Sequence, residues 1–116
     1  MTQYMLLIYG AESEWAALTP DQLSAEMGAY HAYTEEMVKA GVLVAGDELH
    51  PVSTAKTLSV SGGKQKLVDG PFAETKEALG GYYIVNVESP EDALAWAAKC
   101  PGARYGRIEV RPVVQR

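Results

Sequence analysis

The chain has 116 residues, 47% apolar and 22% charged, with 10 Lys and Arg against 15 Asp and Glu for a net charge of −5. These proportions describe one globular domain spanning residues 1–116, and a chain of this size buries about two-thirds of its unfolded surface without disulfides or a structural metal. Basic residues that never form a run exclude direct nucleic-acid binding, and residues 1–58, with eight acids against Lys39 and Lys56, suit no anionic membrane surface.

Residues 4–9 form a continuous apolar run closed by Gly10, which predicts a central strand buried on both faces. Six apolar residues with no basic residue before them are too few for a signal peptide or a membrane span, so a cytoplasmic location is expected. Residues 11–18 read as a loop. Thr19, Pro20 and Gln22 then spell a helix start: a capping hydroxyl, a proline at the first helical position and a side chain to close a capping box. Leu23, Met27, Tyr30, Thr34, Met37 and Val38 recur at helical spacing up to Gly41, with Glu26, Glu35, Glu36 and Lys39 falling mainly on other faces.

Residues 42–45 predict a second strand, and residues 46–51 a turn. Residues 54–60 and 64–68 flank Gly62 and Gly63, the pattern of a tight β-hairpin. Residues 69–77 make the next connection, and alternation over 81–87 predicts another strong strand. Ser89 and Pro90 repeat the helix-start pattern before a short alanine-rich helix stopped by Pro101 and Gly102. Alternation over 107–113 turns Ile108 and Val110 inward and Arg107, Glu109 and Arg111 towards a polar environment. Cys100, the one cysteine, is expected to be a reduced, buried residue.

The order β-α-β-(β-β)-β-α-β is an α+β, ferredoxin-like βαββαβ pattern with an inserted hairpin, giving an antiparallel sheet with both helices on one side. Met5, Leu7, Tyr9, Tyr82 and Ile84 would then leave an apolar sheet face in water. The expected partner is a second copy packed sheet to sheet as a homodimer.

Asp69 has two readings, a carboxylate capping the turn at Gly70 and Pro71, or one of an acid–base pair with Glu74. Lys76 and Glu77 are expected in a solvated charge cluster, and Phe72 is expected to anchor the loop. Arg111 either holds a substrate carboxylate in a bidentate fork or pairs with Glu74, Glu77 or Glu109. His31 is the candidate general base, since histidine alone titrates near neutrality without help. Tyr30, Tyr82 and Tyr83 can line an apolar pocket or pack in the core. Neither His31 nor His50 has metal-ligand spacing, so no metal is expected, and no glycine pattern supports a nucleotide cofactor.

Asp69, Gly70, Pro71 and Phe72 with residues 73–77, followed by Gly80, Gly81, Tyr82 and Tyr83 and ending in Glu109, Val110, Arg111 and Pro112, resemble the signature of the DGPF subgroup of the YCII-related family. The resemblance covers nearly the whole chain and implies a dimeric α+β barrel. It implies a functional range from a dehydrochlorinase-like enzyme acting on a chlorinated hydroquinone to proteins encoded beside extracytoplasmic-function sigma factors. The family's His–Asp pair is absent: its His position falls on Tyr30, beside His31, and its Asp position near Cys100. Two functions follow as alternatives. One is a cofactor-free isomerase or lyase with Asp69, His31 and Arg111 as catalytic groups and Tyr30, Phe72, Glu74 and Tyr82 as substrate contacts, in a cleft between helices, sheet and the loop at residues 69–72. The other is a noncatalytic binding or regulatory module that senses a metabolite or engages a sigma factor.

Overall fold

Two helix starts form as the sequence predicts in the computed structural model, which describes residues 1–116. The Thr19 hydroxyl accepts from the Gln22 backbone N–H at 3.1 Å and the Gln22 side chain accepts from the Thr19 N–H at 2.9 Å, closing the capping box. Ser89 accepts from the Asp92 N–H at the second start. In chain order the elements are β1 (Thr2–Gly10), α1 (Glu12–Ala16), α2 (Pro20–Lys39), β2 (Leu43–Glu48), β3 (Lys56–Ser61), β4 (Lys64–Asp69), β5 (Ala78–Val87), α3 (Pro90–Lys99) and β6 (Arg107–Pro112). Short 3-10 turns lie at Val52–Thr54 and Pro101–Arg104.

Four strands pair antiparallel in the order β2-β5-β1-β6, the ferredoxin-like arrangement, while β3 and β4 pair only with each other. The hairpin turns at Gly62 and Gly63, with φ of 57° and 76°, the left-handed region that a two-residue turn requires and glycine adopts without a Cβ penalty. Tyr4 and Leu6 of β1 and Val85 and Val87 of β5 pack against Tyr33 and Met37 of α2, Ala93 and Ala97 of α3, and Cys100. Leu6, Met37 and Val85 are fully buried, so truncating Leu6 or Met37 to alanine would cost about 2–5 kcal/mol.

Several expectations change. Residues 11–18 contain the helix α1, whose start has no side-chain cap and whose five residues are too few to show a period, though Glu12 and Glu14 favour its N-terminal dipole. The turn expected at residue 46 comes later, because Gly46, Asp47 and Glu48 continue β2 opposite Tyr83, Tyr82 and Gly81. β1 is covered by helices on one face rather than both; Met5, Leu7 and Tyr9, with Tyr82 and Ile84 on β5, form a half-buried apolar face on the far side. On α2 the inward side is Glu26, Tyr30, Tyr33 and Met37, leaving Leu23, Met27 and Val38 exposed. The carboxylate turns inward because it has partners there.

The molecule measures 47 × 44 × 18 Å, a slab two layers thick, with a radius of gyration of 16.1 Å against about 13 Å for a compact chain of this length. The excess comes from the β3–β4 arm, whose residues are all exposed except the half-buried Thr57 and which extends the slab within its own plane. No helix is long and apolar enough to cross a membrane.

Candidate functional site

A cleft of about 370 Å³ runs between α2 and the segment that ends α3 and forms the 3-10 turn. Its helix walls are low because Ala29, Ala32 and Ala98 present only methyl groups, and its cations are Lys99 and Arg104. Lys99 pairs with Glu36 and lies 5.1 Å from the centre of the Trp96 ring. Arg104 stands 3.4 Å from the Glu26 carboxylate, whose same oxygen accepts from the Tyr105 hydroxyl at 2.8 Å. The other Glu26 oxygen, Oε2, is buried without a partner. These contacts fasten the 3-10 turn to α2, and Arg104, which lines the cleft, has more donors than they use.

Behind this wall, Tyr30, Tyr33, Tyr83 and Cys100 fill the space between α2 and the sheet. The Tyr33 hydroxyl donates to the Trp96 carbonyl at 2.7 Å, and its ring meets Tyr83 edge-on at 5.4 Å. The Tyr83 and Thr34 hydroxyls are hydrogen-bonded at 2.9 Å. The Tyr30 hydroxyl occupies the space that a side chain at Gly102 would take: a Cβ there would stand 2.6 Å from the hydroxyl oxygen and 3.0 Å from Ile8 Cγ2. Tyr30 and the Cys100 thiol also interact across this space. They hold no general base. Burial, the largest cause, pushes the acid dissociation of Tyr30, Tyr33 and Cys100 upward, which keeps all three neutral at physiological pH and the thiol unreactive.

The remaining candidates occupy other surfaces. His31, one residue beyond Tyr30, turns outward with its side chain 76% exposed and Nε2 3.1 Å from Glu35. Asp69 forms a 2.7 Å ion pair with Lys56 across the foot of the arm, in place of a turn cap. Arg111 lies opposite Met5 on the open sheet face, 3.6 Å from Glu109, and Arg107 takes Glu77 at 2.9 Å. Tyr82, also on the open face, donates to Asp47 at 3.1 Å. Glu74 is exposed. Phe72 does not hold its loop down: it is 93% exposed, because the glycine–proline turn projects it outward and no apolar surface of the protomer meets it. Within one protomer, Asp69, His31 and Arg111 are not brought together. The residues that do assemble, Glu26, Lys99, Arg104 and Tyr105, had one signal in the sequence, the four-residue step from Glu26 to Tyr30 that places both on one helix face.

The model of the YCII-related domain matches residues 2–116. The chain belongs to the YCII-related family. It is also similar to an uncharacterized protein, R00369, of Rhizobium meliloti (strain 1021), with 37% identity over 112 residues that cover 95% of this chain and 90% of that protein. Within this YCII fold, the phenol of Tyr30 and the thiol of Cys100 are held neutral, and the charged groups lie one layer further out, along the interhelical cleft.

Proposed function

We propose that this YCII-family protein is a small-molecule-binding subunit whose ligand is a small organic anion held in the cleft between α2 and residues 98–104. The observation that carries the reading is an alanine-walled cleft large enough for a single-ring ligand, whose charged lining is Lys99, Arg104 and the Glu36 that pairs with Lys99, and where Arg104 is only loosely held by Glu26 at 3.4 Å. Arg104 offers a carboxylate the planar fork that an ammonium lacks, and Tyr33 supplies an aromatic end wall. Binding is favoured over proton transfer because none of Asp69, His31 and Arg111 borders this cleft, and the buried groups behind it are held in their neutral forms.

Thermal-shift titration of the purified protein with small aromatic and aliphatic carboxylates, each beside its uncharged amide, tests this. Saturation to one hundred times the dissociation constant adds about 2.7 kcal/mol, a rise of about 4–8 °C for a domain near this size. The expected result is a shift with a carboxylate, none with its amide, and loss of the shift in Arg104→Gln and Lys99→Gln. Equal shifts with acid and amide, or no shift with any acid, would sink the reading. Turnover of the bound acid would replace binding with catalysis.

A further inference from the structure

The β3–β4 arm has two different faces. Register places Leu58 opposite Leu67, with Val60 beside them opposite Gln65, and all three apolar side chains are more than half exposed. The other face is mostly polar, with Thr57, Ser59, Ser61, Lys64 and Lys66, and carries one apolar residue, Val68, opposite Thr57. A two-stranded hairpin with an uncovered apolar face is marginal in water and is stabilised by packing against something else. At its foot Phe72, the only phenylalanine, stands almost wholly in solvent.

We propose that the arm and Phe72 dock on a second copy of this chain, as a clasp added to the sheet-to-sheet dimer that the family resemblance implies. Charge supports this occupant. Lys64 and Lys66 at the arm tip have no acidic partner in their own protomer, whereas residues 1–58 hold eight acids against two bases, with Asp47 and Glu48 at the exposed edge strand β2. Area supports it too. Four strands about 4.8 Å apart give an open face of only about 500 Å², below the roughly 800 Å² that each partner buries in a stable complex. The arm adds about 200 Å², and a buried phenylalanine about as much again. A two-fold axis applies each contact twice, so a clasp on one copy implies a clasp on the other. The arm extends in the plane of the slab, leaving the sheet face clear for the second copy.

The proposal is independent of the ligand reading and is tested separately. Sedimentation measures the dimer dissociation constant of the wild type, Phe72→Ser, the pair Leu58→Lys with Leu67→Lys, and Ile84→Lys on the open face. Every substituted side chain except Ile84 is exposed in the protomer, so circular dichroism should show an unchanged fold. We expect a wild-type dimer weakened at least a hundredfold by Phe72→Ser and at least tenfold by the arm variant. In mixed dimers of isotopically light and heavy chains, carbodiimide should join Lys64 or Lys66 of one chain to an acid of the other. A monomer at high micromolar concentration overturns the proposal. So does a dimer weakened by Ile84→Lys but indifferent to the arm and Phe72 variants, which would leave sheet packing without the clasp.

Discussion

At the scale of single residues, the Tyr30–Cys100 contact ties packing to protonation. The unfolded chain releases the Cys100 proton near its ordinary value of 9.0 and the Tyr30 and Tyr33 protons near 10.0. Folding raises all three values, chiefly because burial disfavours the charged forms. Above those unfolded values the unfolded state holds fewer protons than the folded state, so stability falls as pH rises. It is fully present below the unfolded values and is lost as pH rises through the folded ones. Urea unfolding followed from about pH 7 to about pH 11 should therefore show a decline that begins near the thiol's unfolded value. Cys100→Ala should make the first part of that decline shallower, whatever it does to stability at neutral pH. An unchanged slope in this variant would show that Cys100 is not held neutral by the fold. One step along a helix turns about 100°, which puts Tyr30 inside and His31 in water.

At the scale of elements, helix starts and the tight turn were legible because each depends on a few adjacent residues: Thr19 with Gln22, Ser89 with Asp92, Gly62 with Gly63. What lay beyond local pattern was which side of α2 faces in. Leu23 and Met27 have the apolar character of an inward face, yet Glu26 takes the buried position because Arg104 and Tyr105 arrive from a turn almost eighty residues later. The turn is held from its other side by Gly102 under the Tyr30 hydroxyl, which makes this join sensitive to one methyl group. Gly102→Ala should cost about 1–3 kcal/mol in urea unfolding, the usual penalty for overpacking. Tyr30→Phe removes the nearest clashing atom, so the double variant should lose less than the sum of the single losses, a coupling that neighbouring sites show. Strict additivity would mean that the turn and α2 move apart rather than clash.

At the scale of the whole molecule, the antiparallel sheet and its inserted hairpin followed from element order, but the hairpin's detachment from that sheet did not, since no local pattern says which strand a hairpin will join. Its isolation makes the arm the part of the protomer with least to hold it: its strands pair only with each other and all its side chains but that of Thr57 are exposed. Local opening governs amide exchange, so in a lone protomer the arm should exchange far faster than β1 or β5, whose core-facing side chains are buried. If a second copy covers the arm, opening it also requires breaking that contact, and protection of β3 and β4 becomes dependent on protein concentration. Hydrogen–deuterium exchange at two concentrations, one well below and one well above the dissociation constant of the proposed dimer, separates the cases. We expect peptides covering residues 56–72 to slow at least tenfold at the higher concentration, with those of the core strands β1 and β5 slowing less because their own protomer already protects them. An arm that exchanges at one rate at both concentrations would mean that it remains in solvent after association, and the apolar row of Leu58, Val60 and Leu67 would then need a partner other than this chain.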